Sequence, residues 1–301
     1  MGEIIKKNTW LIVLLAIVLG FIWPKLGFFL APAVIYLLMI LMLFSVLDMS
    51  YRKVWEQLHD YKKTLATLSI VHLVGPLIAL AAKPFVPEEI FLGLVLASVI
   101  NAGVSIVFLS KLYGGLPSKA LVVTAVSHIF SPIVVPFLVI VFAQTSIAID
   151  PFSISKTIIQ LVILPIVLSM LVRRSRFYKP MKKHGGYINI ILLFLIIIGI
   201  ITPIREIILT NVSRAVTVGL IVTLIVLVDF ALGFALGKNN AERITYGVSA
   251  SYKNYVLSSV LALSLFGPVV ALPAAMYAVV NNVLLAPLQF LCCRKKTKKK
   301  K

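Results

Sequence analysis

The sequence predicts an all-α integral membrane protein of ten transmembrane helices arranged as two inverted five-helix repeats. Three observations carry this. Apolar residues make up 60% of the 301 and the mean hydropathy is +1.06, outside the range of a domain with a polar skin. Ten apolar blocks approach the ~20 residues that cross a hydrocarbon core. The basic residues between the blocks alternate sides, as inward-facing loops enriched in Lys and Arg require.

The blocks run over about 9–27, 28–48, 64–82, 88–110 and 120–144, then 153–172, 186–203, 214–236, 245–266 and 269–291. The first follows Lys6 and Lys7 with no small-residue cleavage site behind it, and Trp23-Pro24-Lys25 leads straight into the second, so it is expected to be retained as a helix. Lys6/Lys7, Arg52/Lys53/Lys62/Lys63, Lys111/Lys119, the cluster from Arg173 to Lys183, Lys238/Arg243 and the tail from Arg294 fall on one side. Lys25, Lys83, Lys156, Arg205 and Arg214 fall on the other. Twenty-three against five implies an even number of spans, with both termini cytoplasmic in the cell membrane.

The formal charge of +19 therefore orients the chain rather than marking a nucleic-acid face, and the lipid bilayer is its first partner. The tail 292–301 reads as a basic anchor that attracts anionic lipid. Cys292 and Cys293 are adjacent and cannot staple distant elements.

Ten spans divide at the short loop 145–151 into a first repeat, 1–150, and a second, 151–291. An odd number of spans per half inverts the second relative to the first. Internal similarity supports the division: Ser127-His128 to Pro132 parallels Asn281-Asn282 to Pro287, each with a polar residue five positions before a proline. Ser98 to Ser105 in the fourth span likewise matches Ser249 to Asn254 in the ninth. Small polar residues in mid-span permit a helix break whose freed amides and carbonyls become ligands. The alternative is that Ser98, Gly103 and Ser105 only allow close helix packing.

The intramembrane polar inventory is short: His72, Asn101, Ser127, His128, Asp229, Lys253, Asn254, Asn281 and Asn282. Lys253 is the most costly of these, at about 2.5–3.5 kcal/mol for a lysine at a helix centre, which demands a partner or a wet cavity. Asp229 is the one carboxylate deep in a span, since Asp48 and Asp150 fall at ends, and it is the natural counter-ion. Its alternative is a place near the cytoplasmic end of the eighth span, reaching solvent. His72 and His128 read as satisfied core histidines or as ligands; neither has metal-ligand spacing to another histidine, so no metal is expected. Spans one, two, six and seven are nearly bare of polar groups, which suggests a scaffold panel and a polar core that rock against each other. Signatures of ATP-driven and hydrolytic enzymes are missing: no G-x-x-x-x-G-K-[ST], G-x-S-x-G or H-E-x-x-H occurs. An enzyme is not expected, nor a cofactor.

Trp10 to Pro24, Thr124 to Pro132, and Asn254 through Pro273 to Asn282 together resemble the bile acid:sodium symporter superfamily. That resemblance implies ten spans in inverted repeats, discontinuous fourth and ninth helices crossing at the midplane, and two sodium ions behind the crossover. This chain departs from the pattern there. Anchored on Asn254, Ser249 stands where the family has a sodium-coordinating glutamate and Lys253 where it has a glutamine. Aligned on Pro76, Val71 stands at another glutamine ligand, with His72 beside it.

The expected function is secondary transport of a small organic anion by alternating access, with Lys253 either replacing a sodium charge, with Asp229 or His72 as its partners, or gripping a substrate carboxylate directly. Substrate is expected near Asn101, Ser105 and the break before Asn254, with Ser127 and Asn282 steadying the crossover; Ser249, Ser251 and His128 are further candidates for binding substrate or ion. Sodium coupling is thereby placed in doubt and proton coupling left open. The alternatives are an ordinary sodium-coupled organic anion symporter and a membrane sensor or scaffold that keeps the fold without transporting. The oligomeric state is left open.

Overall fold

A computed structural model describes residues 9–47 and 61–298, with side chains over 11–47 and 61–284. Lys6, Lys7, Asp48, Arg52, Lys53 and the last three lysines lie outside the described residues, as do the side chains of Cys292 and Cys293.

The described chain is helical. Its elements are α1 (Thr9–Ile22), α2 (Pro24–Leu30), α3 (Val34–Val46), α4 (Tyr61–Ser69), α5 (Gly75–Ala82), α6 (Glu88–Val99), α7 (Ile106–Tyr113), α8 (Pro117–Ala143), α9 (Pro151–Ile158), α10 (Leu164–Arg173), α11 (Tyr178–Thr210), α12 (Val212–Ala235), α13 (Asn240–Ser251), α14 (Tyr255–Leu265) and α15 (Pro268–Lys298). A 3-10 turn joins α2 to α3, and π turns join α4 to α5 and α9 to α10. Among the described residues, six helical runs are long and apolar enough to cross a membrane: Pro24–Val46, Tyr61–Phe85, Pro117–Ala143, Pro151–Arg173, Tyr178–Thr210 and Val212–Ala235. Their outward faces are apolar, with Ile133 72%, Leu220 66% and Leu77 56% exposed, a surface suited to lipid rather than water.

Local chemistry sets the boundaries. Proline opens α2, α8, α9 and α15, where a missing N–H costs nothing. Asp150, Asn211, Asn239 and Asn254 cap α9, α12, α13 and α14 by accepting backbone N–H bonds at 3.0–3.2 Å. Pro132 inside α8 cannot donate to the His128 carbonyl one turn back; the Ser131 hydroxyl donates to it instead, at 2.8 Å.

Two packing groups result. Helix α11 packs along α1, α2 and α3, and α10 packs on α3. Thr202 on α11 donates to the Gly20 carbonyl at 3.1 Å, and a Cβ on Gly27 would overlap its hydroxyl, so the backbones meet at small residues. The second group is α4 to α8 with α12 to α15, in which α12 packs on α13 and α15, and α15 on α6 and α14. Nearly all of the buried polar side chains lie in this second group.

At the Lys-rich end, Glu242 in the first turn of α13 ties three segments together. Its carboxylate meets Lys119 at 2.8 Å and Lys63 at 2.6 Å and accepts the Lys238 N–H at 3.0 Å. Lys119 and then Lys63 hold this carboxyl well below the usual range, at about 2. Both ammonium groups also lie over the Tyr246 ring.

Candidate functional site

Two helix breaks meet in the second group. Helix α6 ends at Val99 and α7 begins at Ile106; α13 ends at Ser251 and α14 begins at Tyr255. The breaks pair as a short antiparallel bridge between Ala102 and Lys253, with Gly103 N–H donating to the Tyr252 carbonyl at 2.8 Å and Asn254 N–H to the Asn101 carbonyl at 2.9 Å. Gly103 is required here: a Cβ would come within 2.6 Å of the Tyr252 ring and 3.1 Å of the Lys253 carbonyl.

The bridge redirects the groups that a continuous helix would have paired. Ala102 N–H would have bonded the Ser98 carbonyl but donates to the Ser127 hydroxyl at 3.1 Å, and Gly103 N–H would have bonded the Val99 carbonyl but goes to Tyr252. Two carbonyls are thus released. The Val99 carbonyl accepts from His72 Nδ1 at 2.8 Å, which fixes the proton on that nitrogen. The Ser98 carbonyl accepts from Lys253 Nζ at 2.8 Å.

A third carbonyl comes from the π turn Ile70–Val74. Its shifted register sets the Val71 carbonyl opposite Pro76, which has no N–H, so that oxygen is also free. Lys253 Nζ donates to it. The fourth group is Asp229 on α12, whose carboxylate lies 3.3 Å from Nζ. Both side chains of this pair are fully buried. Two of the ammonium's three hydrogens go to the carbonyls, and the Asp229 carboxylate faces it as an ion pair rather than as a hydrogen-bond acceptor. The site is a cage of oxygen atoms around a cation that the chain itself supplies.

The structure brings together Lys253, Asp229, His72, Asn101, Asn254 and Ser127 around the two breaks. Ser249 lies one turn before Lys253 on α13 with its buried hydroxyl unpartnered, and the Asn101 side chain is likewise buried and unpartnered. Three others turn elsewhere. Ser251 donates to the Gly247 carbonyl of its own helix at 2.9 Å, His128 Nδ1 bonds the Thr124 carbonyl at 2.7 Å, and Asn282 donates to the Ala278 carbonyl at 2.6 Å. Ser105 is exposed at the start of α7. Asp229, for which a solvent-reaching place was the alternative, is fully buried.

Sequence reasoning missed the carbonyls of Val71 and Ser98, since a backbone oxygen has no letter. Pro76 was the available signal. It also passed over Tyr252 and Tyr255 beside Lys253, and Tyr277, whose buried hydroxyl is unpartnered and within electrostatic reach of Asp229.

Comparison with known proteins adds an independent line. The model of the "Sodium Bile acid symporter family" matches residues 35–215. The chain is 25% identical over 286 residues to the "Uncharacterized sodium-dependent transporter YocS" of Bacillus subtilis (strain 168), covering 92% of this chain and 87% of that protein. It is 24% identical over 245 residues to the "Uncharacterized protein YbaS" of the same organism, covering 76% and 78%.

Proposed function

This chain belongs to the sodium bile acid symporter family, and from that membership we propose that it is a secondary transporter of a small organic anion that works by alternating access without sodium. The observation that carries the sodium-independent reading is the Lys253 ammonium seated among Val71 O, Ser98 O and Asp229. A metal cation would need those same oxygen atoms, and the tethered ammonium already neutralises Asp229. The cage therefore does not fit sodium in this chain, although the relative YocS is named a sodium-dependent transporter.

Because the ammonium is held by two carbonyls and paired with Asp229, and the side chain is fully buried, Lys253 acts as a fixed cation and not as a hand that grips substrate. Substrate binds beside the breaks, reached from exposed Ser105, with Asn101 and Asn254 supplying amide groups. Ten spans in two inverted repeats, 1–150 and 151–291, with both termini cytoplasmic, give the geometry for alternating access. The packing of α11 along α1, α2 and α3, with α10 on α3, supports a panel against which the polar group rocks. Proton binding at Asp229, which would loosen its hold on Lys253, is the available coupling reaction.

The test is anion uptake by purified protein in vesicles, in sodium, potassium and choline media. Equal flux in all three, lost in Lys253→Gln, is expected. Uptake driven by sodium and no other ion overturns the reading.

A further inference from the structure

At the end of the molecule opposite Lys63, Lys119 and Glu242, two of the spanning runs meet. The run Tyr61–Phe85 ends there and the run Val212–Ala235 begins there. Between them lies a cavity of about 280 Å³, walled by Phe85 and Pro87 on one side and by Asn211, Ser213, Arg214 and Thr217 on the other. Sites that enclose a drug-sized ligand run to ~300–1,000 Å³, so this space suits a headgroup rather than a whole solute.

The walls supply donors without a counter-charge. Asn211 Oδ1 caps α12 by accepting the Arg214 N–H at 3.0 Å, which leaves its Nδ2 over. Thr217 donates to the Ser213 carbonyl at 3.0 Å, and the Ser213 hydroxyl and the Arg214 guanidinium have no partner among the described residues. Glu88, next to Pro87, is turned onto the neighbouring loop, where it accepts from Thr145 Oγ1 at 2.6 Å and Ser146 Oγ at 2.7 Å. A guanidinium, an amide and a hydroxyl on one cavity match a phosphate ester, which takes charge-assisted bonds from such donors. Both walls stand where the apolar runs stop, which is the depth of lipid phosphates.

The stripe that continues from the cavity fits the rest of a lipid. Ser213, Thr217, Leu220, Leu224 and Leu227 recur every three or four residues and so follow one face of α12. That face is polar at the cavity and apolar one turn on, with Leu220, Leu224 and Leu227 66%, 52% and 51% exposed. From Thr217 to Leu227 the helix rises about 15 Å, half of the ~30 Å hydrocarbon core and therefore the depth of one leaflet. The π turn and α5, which pack on α12, carry exposed Leu73, Leu77 and Leu80.

We infer that this cavity binds the phosphate of a phospholipid, with Arg214 and Ser213 on the headgroup and an acyl chain along Leu220, Leu224 and Leu227. Asn211 is the one residue between α11 and α12, so the lipid sits at the joint of the two packing groups. The inference is independent of the transporter reading, since no solute enters this cavity, and either can fail without the other.

The test is thermal stabilisation of the purified, delipidated full chain by dioleoylphosphatidylethanolamine, whose zero net charge gives the Lys-rich end little to attract. Dioleoylglycerol supplies the chains without the phosphate; glycerophosphoethanolamine and inorganic phosphate supply the phosphate without the chains. The phospholipid is expected to raise Tm saturably and to exceed all three. Arg214→Gln and Ser213→Phe, the second filling the cavity from an exposed position, should each weaken its apparent affinity about tenfold. Lys156→Gln, which removes an exposed cation on α9, should leave it unchanged. Unliganded Tm monitors folding, and the ligand comparison on the wild type decides even where a variant fails to fold. No stabilisation by the phospholipid overturns the inference, as does an equal effect of dioleoylglycerol, which means general lipid contact. An equal effect of either chain-free phosphate, which means an anion site only, or an affinity unchanged in both cavity variants, which puts the lipid elsewhere, overturns it too.

Discussion

Substituting Lys253 by Met removes the cation from its cage, and the structure sets the size of the loss. Asp229 is left buried with no counter-charge, a change that costs about 3–5 kcal/mol when one partner of a buried pair is deleted. The Val71 and Ser98 carbonyls also lose their donor, at roughly 1–3 kcal/mol each where water cannot reach them. Asp229→Asn alone leaves the ammonium on its two carbonyls but uncompensated, so it is also destabilising. The double variant Lys253→Met/Asp229→Asn removes both charges and retains only the orphaned carbonyls. It is therefore expected to be more stable than Lys253→Met alone, with a coupling energy of up to about 3 kcal/mol. Thermal unfolding in one detergent at one scan rate measures this. At roughly 2–4 °C per kcal/mol, these losses lower the Tm of Lys253→Met by about 10–40 °C, and the double variant recovers part of it. If the double variant falls by the sum of the two singles, the pair is not coupled and the cage does not exist as described.

Two further outcomes are expected. Gly103→Ala drives a methyl into the Tyr252 ring and the Lys253 carbonyl, costing roughly 1–3 kcal/mol; Tm should drop and transport should fall with it, and a silent variant would mean that the breaks do not meet at Gly103. The Glu242 carboxyl, lowered in the fold from 4.5 to about 2, contributes stability that is complete above about pH 4.5 and is lost as pH falls from 4.5 through 2. In Glu242→Gln the decline of Tm across that interval should flatten, and an unchanged acid limb would remove Glu242 from the account.

Much of this arrangement can be read from the sequence, because a charged residue inside an apolar run has few explanations. Lys253 and Asp229 announce themselves by cost, and the small polar runs at 98–105 and 249–254 announce the breaks. The partners that complete the cage do not, because Val71 and Ser98 contribute backbone oxygens whose release depends on register: Pro76 shifts one helix into a π turn, and Ser127 diverts the Ala102 amide. Side-chain direction is equally hidden. Ser251 has the composition and position of a ligand, but a serine in a helix can bond its own backbone four residues back, and this one does so with Gly247. Tyr252 and Tyr255 read as ordinary apolar bulk in a span until the break turns their hydroxyls toward each other. The helix breaks also explain why α6, α7, α13 and α14 fall short of spanning length while the six runs that are continuous or joined only by 3-10 and π turns do not.

The most direct measurement is a sodium titration of Tm for the wild type and Lys253→Gln side by side, at constant ionic strength in potassium. Gln replaces the ammonium by a carbonyl oxygen and leaves Val71 O, Ser98 O and the Asp229 carboxylate available to an ion. The tethered-cation account predicts no sodium-specific shift in the wild type and a saturable stabilisation by sodium in the variant. A saturable sodium shift in the wild type that Lys253→Gln leaves unchanged would contradict it.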